Sequence, residues 1–260
     1  MEPDSTPSSS SSTSQEQQQR RRQICGQCER PIPVCLCHVI PTTPIKTSTH
    51  ILIVHHPLES QHKLNTVRLL PKTLHHVTTH LSRKLLRSHL THTHTHQSPS
   101  STTIYLFPPS PGSPAVSLSE LKESLNSNGG EGDERNLRLV VFDGTWKHAK
   151  EMVKASQGVL EGLGAIRVCL DLDVDENTRG ETIYNDELLL RKEPLKGCVT
   201  TFEAVARCLR VVEPDNGEEI ERILVGILRE MVKLQAAFLK PVKPRPKLLK
   251  MSKQNQFKTS

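Results

Sequence analysis

The sequence predicts an α/β domain built on a mostly parallel sheet flanked by helices, and three observations carry that prediction. Four short apolar stretches, 50–55, 102–107, 137–142 and 165–171, have strand composition and are separated mostly by segments of helical periodicity. The strongest of them, LRLVVF, stops at Asp143-Gly144-Thr145-Trp146 and turns directly into a helix. Open α/β sheets hold their ligands at such corners, outside the carboxyl ends of the strands. A chain of 260 residues is long enough to bury one sizeable domain of this kind, with small attachments.

Taken in order, the first 22 residues are Ser- and Gln-rich with Glu2, Asp4 and Glu16. The acidic residues and the late Arg20, Arg21 and Arg22 argue against a transit peptide, so 1–23 reads as a disordered arm. Cys25-Gly-Gln-Cys28 and Cys35-Leu-Cys37 follow. Two thiolate pairs this close can close on one tetrahedral zinc, which would staple a small ribbon over 24–40 and leave no open position for catalysis. Four reduced, unliganded thiols are the alternative, and His38 is a substitute ligand. The remaining cysteines, Cys169, Cys198 and Cys208, read as buried small hydrophobes. Without a secretory signal, the seven cysteines fit a reducing compartment better than a disulfide framework.

A linker with Pro41 and Pro44 leads to the strand His50 to His55. The stretches LNTVRLL and TLHHVTTHLSRKLL beyond it read as one or two amphipathic helical pieces interrupted at Pro71. His55, His56, Glu59, Lys63, Asn65 and Thr66 gather polar groups at the strand's carboxyl end, as a helix-capping cluster or, alternatively, a second metal site. The alternating tract His89 to His96 lacks apolar periodicity and reads as a low-complexity surface loop. Thr102 to Phe107 is the second strand, closed by Pro108, Pro109, Pro111 and Pro114. Ser117, with Glu120 three residues on, is a capping box for a helix to Leu125. The Gly-containing stretch 126–136 then reads as an exposed excursion.

At the central corner Asp143 supplies a carboxylate, Gly144 lets the backbone turn, Thr145 caps the helix and Trp146 offers a stacking face. An Asx-turn capping an ordinary helix with a core Trp explains the same four residues. In the helix itself Ala149, Met152 and Val153 take the apolar side, and Lys147, Lys150 and Lys154 the polar one. After the strand at 165–171 comes a polar segment reaching Arg191. A helix then starts at Thr200, an N-cap with Glu203 at the capping-box position, and a long amphipathic helix runs from about Glu218 to Lys240.

From Lys240 onward there are seven Lys/Arg, including Lys243, Arg245 and Lys247, and no Asp/Glu. The formal net charge of +6 therefore resides largely in this tail. A basic tail suits the phosphate backbone of nucleic acid, or serves as a solvated appendage or nuclear-import signal. No run approaches 18 apolar residues, so no membrane span is expected. The G-x-G-x-x-G, G-x-x-x-x-G-K-[ST] and G-x-S-x-G patterns are absent from the expected places. That argues against a standard dinucleotide fold, a P-loop NTPase and a serine hydrolase.

Three stretches together resemble one family. Asp143-Gly144-Thr145-Trp146 is similar to the Asp-x-Thr-Trp signature of DTW-domain proteins. His56-Pro57-Leu58-Glu59 with Lys63-Leu64-Asn65-Thr66 resembles their first motif, and Thr200-Thr201-Phe202-Glu203-Ala204 their Ser/Thr-Thr-x-Glu-Ala motif. The cysteine cluster resembles the zinc segment that many members carry ahead of the domain. Chain length and the basic tail are most similar to a eukaryotic branch of the family, with Thr200 standing where Ser is common. The resemblance implies a SPOUT-like α/β fold over 48–239, with a basic disordered tail over 240–260, and leaves open whether its cofactor-binding region is knotted.

It further implies a tRNA-uridine aminocarboxypropyltransferase that uses S-adenosylmethionine, with zinc as a structural ion and tRNA as partner. On that basis Asp143 is the expected general base. Asn65, Thr66, Thr145, Trp146, Thr200, Thr201 and Glu203 are expected around the donor, and Arg191, Lys243, Arg245 and Lys247 on the RNA. Cytoplasm or nucleus is the expected compartment. The alternatives are a SPOUT-like RNA methyltransferase using the same donor, and a non-catalytic zinc-ribbon RNA-binding or scaffold protein.

Overall fold

Ile51, Leu52, Ile53 and Val54 are all buried, although successive side chains of a strand point to opposite faces. Such a strand needs a layer of structure on each side. The computed structural model, which describes residues 23–62, 65–91, 102–128, 137–170 and 199–238, supplies both layers. Strands β1 (His50–His55), β2 (Val77–Leu81), β3 (Thr102–Leu106), β4 (Val116–Ser117), β5 (Leu137–Asp143) and β6 (Ile166–Cys169) form one sheet in the order β2-β1-β5-β3-β6-β4. Every pairing is parallel. The main helices are α1 (Leu118–Asn128), α2 (Trp146–Gly162), α3 (Thr201–Val212) and α4 (Gly217–Ala236).

The two faces divide the apolar residues by parity. Ile51, Ile53, Leu139 and Val141 pack with Leu118 and Leu121 of α1, Phe202, Val205 and Leu209 of α3, and Leu224 and Leu228 of α4. Leu52, Val54, Val140 and Phe142 pack on the other face with Met152 and Leu160 of α2 and with Leu85. Each of these side chains, moved from water into the core, contributes roughly 1.5–3 kcal/mol before conformational entropy is subtracted.

The four strands expected from the sequence are the four inner ones, and the two edge strands are additions. Val77–Leu81 is β2, not part of an amphipathic helix. Its Val-Thr-Thr run is β-branched, its residues are half-buried or exposed, and it gains its order by pairing along β1. Pro71 does not interrupt a long helix but sits in the first turn of the four-residue helix Leu70–Thr73, where its missing N–H costs nothing. The start of the His/Thr tract also departs from a plain surface loop: His89 is buried in the short helix Ser88–Thr91 and stacks on His80 at 4.2 Å. The rest of that tract, the excursion 129–136 and the polar segment 171–198 lie outside the described residues.

Helix starts follow their caps. Ser117 and Glu120 form the reciprocal capping box of α1, at 2.8 and 3.1 Å. Thr145 Oγ1 accepts from the His148 N–H at the start of α2, and Thr200 Oγ1 from the Glu203 N–H at the start of α3. At the far end of α3, the Glu213 carboxylate accepts from the N–H groups of Ser48 and Thr49, at 2.9 and 2.8 Å, just ahead of β1. The C-terminus of α3 is thereby tied to the amino edge of the sheet. Its 12 residues run back about 18 Å and bring Thr200 to the carboxyl edge, the one that carries Asp143.

Candidate active site

Parallel pairing in register sets His55, the last residue of β1, beside Asp143, the last residue of β5. Their side chains meet at 2.6 Å, His55 Nδ1 to Asp143 Oδ2, with both largely shielded from solvent. Behind His55, Asn65 Nδ2 lies 3.1 Å from His55 Nε2 and 3.1 Å from the Glu59 carbonyl oxygen. A carbonyl oxygen only accepts, so the amide nitrogen must face it, and its second hydrogen points to His55 Nε2. Nε2 therefore accepts, and Nδ1 carries the proton that is donated to Asp143. Asn65 donates to His55 and His55 to Asp143, which holds the carboxylate in one orientation, and among the described residues Asp143 Oδ1 takes no hydrogen bond.

A second pair of imidazoles adjoins this chain. His56 stacks on His148, the third residue of α2, with ring centroids 4.0 Å apart and planes within 8°. The Glu59 carboxylate stands 3.9 Å from His148 Nδ1. Burial first, and then electrostatic repulsion from His148 and Arg83, lower the His56 imidazole from its ordinary value and favour its neutral form. Gly144 is what allows this packing. A Cβ there would stand 3.1 Å from His148 Cβ and 3.4 Å from both His56 Cβ and Met152 Cε.

The other expected site residues fall out as follows. Thr66 is buried at the start of the turn Val67–Leu69. Thr145 lies at the corner with its hydroxyl engaged in the α2 cap. Trp146 is half-buried, its ring edge-on to Phe107 at 6.2 Å. Thr200 and Thr201 begin α3 at the carboxyl edge, whereas Glu203 is fully buried and paired with Arg207 at 2.6 Å. Lys63, Arg191, Lys243, Arg245 and Lys247 lie outside the described residues. Asn65 is in the site, but its amide nitrogen serves His55.

Sequence reading missed His55 as the partner of Asp143 and His148 as the partner of His56. The available signal was a polar residue ending each of two apolar strands. Which two strands are neighbours is decided 88 residues apart, and no local pattern reports it.

The four cysteines come together in a cluster of their own. Cys25 and Cys37 Sγ are 3.5 Å apart, Cys28 and Cys35 3.6 Å, and all four lie within 4.8 Å of one another. Tetrahedral bonds of about 2.3 Å to zinc set sulfurs about 3.8 Å apart, so the set fits that ion. Glu29, at φ 58°, lets the first knuckle turn back after Cys28. Hydrogen bonds from the Cys28 and Gln27 backbone lower the Cys25 thiol to about 6, while burial raises Cys37 to about 12. A divalent cation is what such a group needs to ionise as a whole.

Comparison with known proteins adds to this geometry. The family model described as "DTW domain" matches residues 22–236. The chain is 58% identical to "tRNA-uridine aminocarboxypropyltransferase A" of Arabidopsis thaliana, over 90% of this chain and 89% of that protein. It is 29% identical to "tRNA-uridine aminocarboxypropyltransferase 2" of Drosophila melanogaster, over 81% and 74% of the two chains. To the protein of that name in Mus musculus it is 28% identical, over 74% of this chain and 57% of that one. No solved structure matches it. A family match from the first cysteine pair to the end of α4 leaves no ambiguity, and the chain belongs to the DTW-domain family.

Proposed function

We propose that this chain is a tRNA-uridine aminocarboxypropyltransferase. It moves the 3-amino-3-carboxypropyl group of S-adenosylmethionine to N3 of a uridine in tRNA and releases 5′-methylthioadenosine. The observation that carries the chemistry is the Asp143 carboxylate, held by His55 and Asn65 with Oδ1 left open at the carboxyl edge of the sheet.

Uridine N3 carries an imide proton and becomes a nucleophile only as that proton leaves. Asp143 Oδ1 takes it, because Oδ2 is committed to His55. The N3–C bond forms as the C–S bond of the sulfonium breaks, and the sulfur leaves as a neutral thioether. With so good a leaving group, positioning carries most of the remaining catalysis. The first N–H groups of α3, at Thr200 and Thr201, meet the donor's carboxylate, since the start of a helix favours an anion. A face of Trp146 stacks on adenine or uracil, with Thr145 holding the turn. Glu203, buried on Arg207, keeps the first turn of α3 in place. Arg191 and the tail residues Lys243, Arg245 and Lys247 contact RNA phosphates. Cys25, Cys28, Cys35 and Cys37 would hold a zinc ion with all four positions taken by sulfur, so the ion would stabilise structure and take no part in transfer. Seven cysteines that do not read as a disulfide framework support a reading of cytoplasm or nucleus.

Mass spectrometry of a reaction containing protein, unmodified tRNA and S-adenosylmethionine tests this reading. The expected products are aminocarboxypropyl-uridine and methylthioadenosine in equal amounts, and Asp143→Asn lowers both by on the order of 10²–10⁴-fold. S-adenosylhomocysteine with a methylated base would reassign the protein as a methyltransferase. Neither product, with a control enzyme active on the same tRNA, would leave the scaffold reading.

A further inference from the structure

The segment after β2 and the outer face of α2 bring six cations to one flank of the molecule. Ser82 donates its N–H to the His55 carbonyl, so the chain leaves β2 at the carboxyl edge, beside the candidate site. It then descends along α2. The charge of Arg83 is felt at His56, the Leu85 N–H bonds to Ser156 Oγ at 2.8 Å, and Arg87 Nη2 lies over Gly162 at the foot of the helix. Arg83, Lys84 and Arg87 thus form one row. Lys147, Lys150 and Lys154 form a second row on α2 itself, at the spacing that keeps them on one helix face. The flank is about 20 Å long, from Lys147 beside Trp146 to Gly162.

All six side chains are exposed, and among the described residues none is within ion-pair distance of a carboxylate. The carboxylates on this helix are Glu151, between the rows, and Glu161, which accepts from Gln157 at 2.7 Å. Elsewhere many of the surface cations are neutralised: Arg210 pairs with Glu218 and Glu221, Arg222 with Glu219, Lys233 with Glu230, and Lys72 with Glu29, while the exposed Lys46, Arg68, Lys122 and Arg229 lie without such a pair on other elements and form no row. Unpaired cations in two parallel rows are what a sugar-phosphate backbone needs, because each phosphate they neutralise releases condensed counterions. Their exposure also fits a partner that leaves after one turnover, since no desolvated ion pair holds it.

We infer that this flank is the docking surface for the RNA backbone, leading nucleic acid along α2 to the Asp143 corner. The inference rests on the tRNA reading and specifies where on the folded domain the tRNA lies. It assigns to the folded domain a contact that charge counting placed mainly in the tail.

The test is equilibrium binding of the full chain to unmodified tRNA across a series of salt concentrations, without donor, so that chemistry is not involved. The flank variant carries Lys84→Gln, Arg87→Gln, Lys150→Gln and Lys154→Gln. The control carries Arg210→Gln, Arg222→Gln, Arg229→Gln and Lys233→Gln, with the same change in net charge. The flank variant should bind at least about tenfold more weakly and lose about 3–4 from the slope of log affinity against log salt. The control should stay near the parent protein in both, and arginine in place of Lys150 and Lys154 should preserve binding. Equal losses in the two variants, or an unchanged salt slope in the flank variant, would overturn the docking surface alone. A parent protein that binds no tRNA would sink the tRNA reading together with it.

Discussion

Asp143 owes its readiness to a neighbour. His55 donates from Nδ1 only because Asn65 occupies Nε2, and this fixes both the tautomer and the direction of the carboxylate. His55→Ala should lower kcat on the order of 10²-fold, the cost of a misaligned base, while the KM for tRNA stays unchanged. His55→Gln, whose amide can still donate, should recover part of the loss. A change in KM with kcat intact would show that His55 binds substrate and does not orient Asp143. The His56 imidazole belongs to the same scale. Burial, the first cause, holds it below its ordinary value of 6.5, so the unfolded chain takes up a proton that the native chain resists. Its contribution to stability is therefore complete above about 6.5 and falls away as pH drops below that. Urea midpoints measured between neutral and mildly acid pH should decline, and less steeply in His56→Asn. Equal slopes would remove His56 as a source of the acid sensitivity.

Among the elements, α3 sets the geometry of the far side of the site. Its N-terminus is aimed by a contact at its opposite end, where buried Glu213 binds the Ser48 and Thr49 N–H groups. Removing that carboxylate leaves two donors short of an acceptor. Glu213→Ala should cost about 2 kcal/mol in denaturant unfolding. It should also raise the KM for S-adenosylmethionine as the start of α3 loses its fixed position. An unchanged donor KM would separate the tether from the site. The caps of α1, α2 and α3 were legible, because a Ser or Thr N-cap acts within four residues of itself. The edge strand β2 was not. Val77–Leu81 carries no burial alternation of its own and becomes a strand because β1 offers it a ladder.

The cysteine module and the sheet are one packed structure at the scale of the whole molecule. Leu36, between Cys35 and Cys37, is completely buried in the same cluster as Ile51, Leu139 and Leu228, and His38 lies 3.3 Å from Glu230 of α4. Loss of the metal should therefore loosen the main domain as well as the ribbon. Purified protein should carry one zinc per chain, and treatment with a strong chelator should lower the melting temperature in step with zinc release. Full stability after complete removal would show that the four thiols hold no structural ion. The same scale decides where RNA docks. Arg83, Lys84 and Arg87 are some 60 residues from the α2 lysines in the chain and are brought to the same helix by the Leu85–Ser156 hydrogen bond and by Arg87 over Gly162.

By itself the sequence determined the fold class, the four inner strands, the helix caps, the four-cysteine cluster and the family motifs. Each of these depends on composition or on spacings of a few residues, the range over which helix and strand periodicity and ligand geometry act. Only the tertiary structure decided which strands are neighbours. With that came the pairing of His55 with Asp143, the stacking of His56 on His148, the aim of α3 by Glu213 and the two rows of cations along α2. These contacts join residues 88 to 165 positions apart, or rows set side by side by the sheet order. Their geometry comes from burying both faces of one sheet at once, a condition that no local stretch of chain can express.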